Sequence, residues 1–546
     1  MDVNEFRKKI EQGATALGIE FGSTRIKAVL IDYDGHVLAT GAHEWENALV
    51  DGVWTYALAD AEAGMRACCT ALRRDVEEKY GVTPKTYGSI GLSAMMHGYI
   101  ALDKNGAQLA PFQTWRNTNT GAAADELTEL FQFNIPLRWT IAHLCQRMLD
   151  GEPHVREAAS VLTLAGYMHY RLTGQKVLGV DDASGMFPID PDTLDYDEGM
   201  VQKFEALAKK RGFSLSLRDL FPRVLRAGDV AGELTAEGAA LLDESGSLRS
   251  GIPLGPPEGD AGTGMVATNS VAPRTGNLSA GTSAFAMIVL EKPLSKLYRE
   301  IDMVMTPAGF PCAMSHANNG TTDLNAWVGI FDEFSRLTGH PIDRGELFRK
   351  LCTHALSGDP DCGGLLSYGY YSGESITSLD EGRPLFARMP DCGQKFNLAN
   401  FMRAHLYTSL AAVKLGMDIL LKDEGVKLER LTGHGGLFKT PRVMQKILAA
   451  AVNAPVSVLA EGPATTEGGA WGIALLAAYM ADGKKDGGLE AWLNRRVFGD
   501  SSGDAVMPTP EDVAGFEAFT KRYVAGLPVE RAAVSAMDWR GEGTEQ

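Results

Sequence analysis

Gly18-Ile19-Glu20-Phe21-Gly22-Ser23-Thr24-Arg25-Ile26-Lys27 is the stretch whose reading decides the fold. Ala14-Thr15-Ala16-Leu17 precedes it, short and apolar-rich. Ala28-Val29-Leu30-Ile31-Asp32 follows, then Tyr33-Asp34-Gly35 and His36-Val37-Leu38-Ala39. This predicts strand, Gly/Ser/Thr turn, strand, Asp-Gly hairpin, strand. Glycine lets the backbone approach a ligand closely, and successive N–H groups form an anion-binding concavity. Ser23 and Thr24 add hydroxyl donors, and Glu20 adds a carboxylate near the place a metal–phosphate would occupy. Asn277-Leu278-Ser279-Ala280-Gly281-Thr282-Ser283 repeats the idea ahead of the apolar run Ala284-Phe285-Ala286-Met287-Ile288-Val289-Leu290. One such cluster is usually an ordinary hairpin turn. Two, most of a domain apart and each beside a β-run, point to similar halves gripping one phosphate chain.

A chain of 546 residues exceeds one ordinary core, so two large domains are expected. The net charge of −17, from 52 basic and 69 acidic residues, argues against a general nucleic-acid or anionic-membrane binder. Phosphate binding remains open through backbone N–H groups and a cation. No apolar run reaches membrane-spanning length. The charged segment from Met1 to Gly13 lacks the apolar core and cleavage site of a signal peptide. Seven cysteines (Cys68, Cys69, Cys145, Cys312, Cys352, Cys362, Cys392) show no C-x-x-C spacing. Buried thiols in a reducing cytoplasm fit better than zinc or a disulfide framework.

Along the chain, Leu58 to Tyr80 has helical spacing. Ser89-Ile90-Gly91-Leu92-Ser93-Ala94-Met95-Met96-His97-Gly98 reads as a buried strand with His97 at its end. The loop Phe112-Gln113-Thr114-Trp115-Arg116-Asn117-Thr118 presents a ring, a cation and an amide, groups suited to a polyhydroxylated ligand. The structural alternative is a helix N-terminus capped by Asn117 or Thr118. Ala122 to Phe131, Ile141 to Leu149 and Ala158 to Leu172 read as helices. Asp181-Asp182-Ala183-Ser184-Gly185 reads as a polar loop whose acids are caps or ligands. Glu258-Gly259-Asp260-Ala261-Gly262 places Asp260 at a strand-to-helix junction, either as an N-cap or facing a ligand among small residues. A domain boundary is expected from Ala267 to Arg274. Gly363 to Tyr371 reads as an aromatic- and Gly-rich loop, and Leu398 to Leu421 as a long amphipathic helix. Gly433-His434-Gly435-Gly436-Leu437-Phe438-Lys439 is a glycine loop that admits a flat base and a ribose. Glu467-Gly468-Gly469-Ala470-Trp471-Gly472 opens a small-residue helix, Ile473 to Met480, able to pack closely on a neighbour. A looser tail carries a helix over Glu511 to Tyr523.

In this order the motifs resemble the FGGY carbohydrate kinases of the actin-like ATPase superfamily, from about Gly18 to Met480. Gly18 to Thr24 is similar to the family's first phosphate loop, Gly281-Thr282-Ser283 to its second, and Gly433-His434-Gly435-Gly436 to its adenosine loop. Asp260 matches the catalytic aspartate. Tyr371-Ser372-Gly373-Glu374 and Asp181 to Gly185 resemble further family blocks. Met96-His97-Gly98 resembles the sugar-contacting motif of xylulokinases, and Trp115-Arg116-Asn117 stands where those enzymes carry Trp-Asn-Asp. Glu20 replaces the usual aspartate of the first loop, Asn117 the aspartate of the tryptophan motif, and Ala261 the Asn or Gln after the catalytic aspartate.

The resemblance implies an α/β chain of two ribonuclease-H-like domains flanking a deep cleft. Its parts are a sugar-binding domain (1–267), a nucleotide-binding domain (268–482) and a helical extension (483–546). It implies ATP and Mg²⁺, and phosphorylation of a hydroxyl on a xylulose-like ketose or related polyol. Gly22, Ser23, Thr24, Gly281, Thr282, Ser283, Gly433, Gly435, Gly436 and Lys439 would hold the nucleotide. Met96, His97, Trp115, Arg116, Asn117 and Asp260 would hold the sugar. Glu20 and Asp260 would face the metal, with Asp260 the general base. Ribulose, fuculose, rhamnulose, gluconate and glycerol are the alternative substrates. A non-catalytic sugar and nucleotide sensor, or a chaperone-like ATPase, are the readings outside sugar kinases. The partners implied are sugar and ATP, not nucleic acid or membrane, in a cytoplasmic protein with a homodimer left open.

Overall fold

The computed structural model describes residues 3–390, 393–459, 461–499 and 505–537. Cys392 and the last nine residues of the expected extension lie outside them. The six described cysteines are all buried and free, as their apolar surroundings predict. Two compact units make up the chain. Unit 1 comprises Met1–Pro273, Val289–Cys312 and Glu461–Ser501; unit 2 comprises Arg274–Ile288, Ala313–Ala460 and Ser502–Gln546.

In unit 1, strands β1 (Ala16–Phe21), β2 (Arg25–Ile31) and β3 (Val37–Glu44) form an antiparallel meander. Helix α1 (Leu58–Tyr80) covers β3 and ends at Gly81, whose left-handed backbone (φ 66°) suits glycine. Strand β4 (Ser89–Ala94) then pairs parallel with β1. Helix α2 (Val180–Ser184) lies between this strand and β5 (Gly232–Glu233) in sequence. Strand β6 (Pro253–Leu254) completes the order β5-β6-β4-β1-β2-β3, and β7 (Glu258–Gly259) also pairs with β4. Ile19 and Phe21 are fully buried, so β1 continues through Phe21 and confines the turn to Gly22-Ser23-Thr24. The strand therefore includes Gly18 and Glu20, which the sequence reading had put in the turn region.

Helix α3 (Asp260–Ala267) follows β7 directly. Helix α4 (Gly469–Ala478) arrives late in the chain yet packs in unit 1, against β1 and α3. Glycines permit this approach: a Cβ on Gly18 would collide with the Ala470 carbonyl, and one on Gly472 with the Thr263 carbonyl. The linear partition at residue 482 therefore does not describe the packing. The small-residue pattern had predicted close packing of this helix, but not its target.

Unit 2 repeats the topology. Strands β8 (Thr275–Ala280) and β9 (Ala284–Val289) form a hairpin, followed by β10 (Pro311–Ala317); β11 (Arg430–His434) and β12 (Val456–Val458) extend the order to β10-β9-β8-β11-β12. Strands β8 and β11 are parallel, as β1 and β4 are. This is the ribonuclease-H-like pattern twice over.

Several local expectations change. Ala158 to Leu172 is not one helix: Ser160–Leu162 forms a strand, and Thr163 caps Leu164–Thr173 by accepting the Gly166 N–H. Gly363 to Tyr371 contains the short strand Leu366–Tyr368, paired with Leu385–Ala387. The helix Leu398–Asp418 is buried nearly all round rather than on one face. Helix α5 (Pro510–Ala536), longer than expected and continuing through Pro528, packs within the same unit. Its acids meet the central helix's buried cations: Arg403 donates to Asp512 at 2.6 Å and Lys414 to Glu517 at 3.1 Å. Buried Tyr523 donates to the Tyr370 hydroxyl at 2.6 Å. The tail helix is thus part of unit 2's core. Among the described residues, no helix is long and apolar enough to cross a membrane.

Candidate active site

Asp260 is the first residue of α3, and Gly259 occupies the N-cap position, so the simple capping alternative does not apply to Asp260. Its Oδ1 accepts the Met96 N–H at 3.1 Å, fixing it to the end of β4. Solvent reaches the residue, while the dense protein around it raises its carboxyl above the ordinary range; donated N–H groups and the charge of Arg138 oppose that rise.

Glu20 points from β1 to the start of α4, where its Oε2 accepts the Ala470 N–H at 3.2 Å. Burial, and then the charge of Asp260, push its pKa up to about 7; Lys27, its partner across the β1–β2 ladder, pulls the other way. The Glu20 carboxylate thus sits at a helix N-terminus and feels the charge of Asp260.

Behind Asp260 lie three buried acids. Asp181 and Asp182 belong to α2, so the expected polar loop is instead an enclosed helical turn. Asp181 Oδ2 accepts the Gly259 N–H at 2.9 Å. Glu258 Oε2 accepts the N–H groups of Asp181 (3.0 Å) and Asp182 (3.2 Å). Asp182 accepts the Thr163 hydroxyl at 2.6 Å. Burial first, then repulsion from Asp182 on Asp181 and from Asp181 on Glu258, hold both well above the usual carboxylate range.

His97 lies beyond β4 with φ 71°, an uncommon conformation for a non-glycine residue. Its ring is buried, stacks on Trp139, and places Nδ1 3.2 Å from the Gly185 carbonyl. Burial and then Arg138 depress its pKa well below 6.5. The carbonyl partner assigns the proton to Nδ1, leaving Nε2 as an acceptor.

The tryptophan loop divides by role. Trp115 is 41% exposed and donates Nε1–H to Ser23 Oγ at 3.3 Å. Arg116 lies 3.7 Å from the Trp54 ring centroid and donates to Asn47 at 3.0 Å. Asn117 does not cap a helix; Thr120 holds that place. Its Oδ1 accepts the Trp54 N–H at 2.9 Å and its Nδ2 donates to the Trp54 carbonyl at 2.7 Å. The Asn117 amide is committed to the backbone of the Val53–Thr55 strand, which corrects its expected role as a direct ligand.

In unit 2, Gly281-Thr282-Ser283 joins β8 to β9, and the Gly281 and Thr282 carbonyls accept N–H groups from Thr321 (2.9 Å) and Gly320 (2.7 Å). In the glycine loop, Gly435 has φ 95° and its Cβ position lies 2.6 Å from the Ala280 carbonyl. Gly436 and Lys439 are exposed, and nothing lies within 4 Å of a Cβ built on Gly436. Gly433 is buried under the Phe438 ring, which fills the space of its missing side chain. Its glycine is required by packing rather than by a ligand, a second correction.

Sequence reasoning missed Arg138, whose charge reaches both Asp260 and His97 and which donates to Asp302 at 2.5 Å. A lone arginine between two apolar stretches carries no local signal. It also missed Trp54, the platform under Arg116. The pairing of Asp181 with Glu258 spans 77 residues and has no periodicity to betray it.

The comparisons decide the family. Residues 15–260 match the N-terminal domain, and residues 276–481 the C-terminal domain, of the FGGY family of carbohydrate kinases. The chain belongs to this family. This FGGY kinase is 23% identical to the xylulose kinase of Haemophilus influenzae over 535 residues, covering 94% of this chain and 99% of that one. The structure of xylulose kinase from Rhodospirillum rubrum superposes with a TM-score of 0.76 at 19% identity, covering 94% and 98% of the two chains. Gluconate kinase from Lactobacillus acidophilus superposes with a TM-score of 0.74 at 16% identity, covering 96% and 98%. Both likenesses show the fold. The protein is an ATP-dependent carbohydrate kinase.

Proposed function

We propose that this FGGY kinase phosphorylates a ketopentose, D-xylulose first and ribulose second. The observation that carries the reading is Asp260 at the start of α3, bonded to the Met96 N–H, with the neutral His97 next in sequence. A sugar hydroxyl is a weak nucleophile at neutral pH, so a positioned base contributes about 10²–10⁴-fold. In this reading Asp260 accepts the hydroxyl proton, and Nε2 of His97 accepts a hydrogen bond from another hydroxyl. Trp115 offers its ring face to the sugar's C–H groups. Unit 1 takes the sugar, with Gly22, Ser23 and Thr24 offering donors to transferred phosphate. Unit 2 takes ATP, with Gly281, Thr282, Ser283, Gly435, Gly436 and Lys439 around it. The xylulose kinase of Haemophilus influenzae, similar along its whole length, supports the choice of sugar.

Glu20 and Asp260 fit a divalent cation: the charge of Asp260 raises the Glu20 pKa, and a cation held by both would relieve that repulsion. They would hold Mg²⁺ through its water shell, and the ion supplies charge neutralisation on the phosphates when bound. Glu20 is one methylene longer than the family's usual aspartate and still reaches a hydrated ion.

Coupled ADP release, measured across pentuloses, hexuloses, polyols and aldonates with Mg²⁺ titrated, tests both parts. The highest kcat/KM is expected for D-xylulose. A higher value for gluconate or glycerol than for either pentulose overturns the choice of sugar. An unchanged Mg²⁺ dependence in Glu20→Gln removes Glu20 from the metal.

A further inference from the structure

Two short helices meet behind Asp260; an acid of α2 takes the N–H that opens α3, and an acid of the strand leading into α3 takes those that open α2. Asp181, on α2, accepts the N–H of Gly259, the N-cap residue of α3. Glu258, just before α3, accepts the N–H groups of Asp181 and Asp182 at the start of α2. A helix start leaves its first N–H groups without intrahelical partners, and a side-chain oxygen that takes them fixes the entry of the chain. Here the fixing is reciprocal and buried: Asp181 is 0% and Glu258 1% exposed. The glycines around the pair fit it closely. A Cβ on Gly179 would run into the Glu258 carboxyl, one on Gly262 into the Asp181 carboxyl, and one on Gly259 would lie 2.9 Å from Asp181 Oδ2. A Cβ on Gly259 would also strike Met96, the residue whose N–H holds Asp260. Three glycines thus leave room for two carboxyls, and the residue that follows the capped Gly259 N–H is Asp260.

We propose that Asp181 and Glu258 are positioning residues for Asp260, locking the first turn of α3 against α2 so that its carboxyl keeps one aim. Asp182 is tied to the Thr163 hydroxyl and holds α2 from its far side. Neither Asp181 nor Glu258 touches substrate in this scheme; both act through the backbone on which Asp260 is carried. The inference rests on Asp260 being the base.

The test measures steady-state kinetics with D-xylulose, or with the best substrate of the ADP-release screen, together with melting temperature. Asp260→Asn serves as the control for the base itself. Asp181→Ala removes the acceptor of the Gly259 N–H while leaving Asp260 in place. Misplacing a reacting group by about 1 Å can cost about 10²-fold, so kcat is expected to fall by about that factor with both KM values within about twofold. Asp181→Asn keeps an acceptor oxygen, and asparagine caps as well as aspartate, so kcat should recover to within about threefold of wild type. If Asp181→Ala does not fold, Asp181→Ser, with one short acceptor, is read by the same split. An inactive Asp260→Asn beside a folded Asp181→Ala of normal kcat overturns the positioning role alone. A fully active Asp260→Asn overturns the base, and the inference with it. Loss of kcat in Asp181→Asn equal to that in Asp181→Ala would also overturn it, because the retained acceptor would then be irrelevant.

Discussion

The two Gly-hydroxyl turns share a place in the fold and differ in what holds them. In the first, the Gly22 carbonyl accepts the Trp45 indole N–H at 2.7 Å, the Ser23 carbonyl accepts the Tyr56 hydroxyl at 2.6 Å, and Ser23 Oγ accepts from Trp115. In the second, the Gly281 and Thr282 carbonyls accept backbone N–H groups of Thr321 and Gly320. Gly320 must be glycine there, because a Cβ would run into the Gly281 carbonyl. Both turns have their carbonyls tied back. The first is fastened by three side chains, one of them from the loop assigned to sugar, besides the Trp45 N–H on the Thr24 carbonyl; among the described residues the second is fastened by backbone bonds. Damage around the first turn should therefore spread from phosphate to sugar, and damage around the second should stay with the nucleotide.

The largest effect should come from Asp260→Asn, on the unit 1 side of that comparison. The substitution keeps the shape, and asparagine is compatible with a helix start. A stable protein that binds ATP and sugar but transfers phosphate roughly 10²-fold or more slowly is expected. Single-turnover rates and ligand titrations on one preparation measure it. Near-normal turnover would place the chemistry elsewhere.

Gly436→Val probes unit 2. The protein has open space at that Cβ, so a clash would come from the nucleotide. Crowding of about 1–3 kcal/mol raises the ATP KM by about tenfold, leaving the sugar KM unchanged. An unaltered ATP KM in the folded variant would move the nucleotide away from this loop. Trp115→Phe probes the first turn's fastening. It keeps the ring and deletes one neutral hydrogen bond, which contributes about 1 kcal/mol. Rises of about threefold in both the sugar and the ATP KM are expected. A rise confined to the sugar would erase the contrast between the two turns.

What the sequence made legible follows from how local each signal is. Both hairpins, the parallel strands after them and the long helix α1 rest on periodicity and turn chemistry within a short window, and they were readable. Asp260 was readable because a strand end, two glycines and an acid lie within five residues. The partners of those residues were not. Asn117 carries the residue type of a ligand, and only the approach of Trp54, 63 positions away, shows that its amide is occupied. Gly433 looks like Gly436 in sequence; the Phe438 ring separates them. The long helix Leu398–Asp418 reads as one-sided because its buried cations, Arg403 and Lys414, mimic a polar face, and α5 supplies acids to both, with Asp418 of the same helix a second partner for Lys414. Distant pairing, rather than local propensity, decided each of these.

The smallest effect concerns His97, and its interest lies in being nearly absent. A histidine in a sugar site invites the expectation of a KM limb near pH 6.5. Here burial, and then the Arg138 charge, hold the ring neutral well below that value. The sugar KM should therefore stay within about twofold between pH 6 and 8, with no histidine limb. Stability carries the opposite signature. The folded pKa is depressed, so on acidification the unfolded chain takes up the proton first, and the stability present at neutral pH is lost as pH falls below about 6.5. Asparagine tolerates the positive φ of this position, so His97→Asn removes the titration with the least backbone strain. Wild type should lose more melting temperature between pH 7 and 5 than His97→Asn does, even where the variant starts lower. Equal losses, or a wild-type KM that climbs with a midpoint near 6.5, would mean that the ring protonates in the folded enzyme and that the Nδ1–H to Gly185 assignment no longer fixes Nε2 as an acceptor for the sugar.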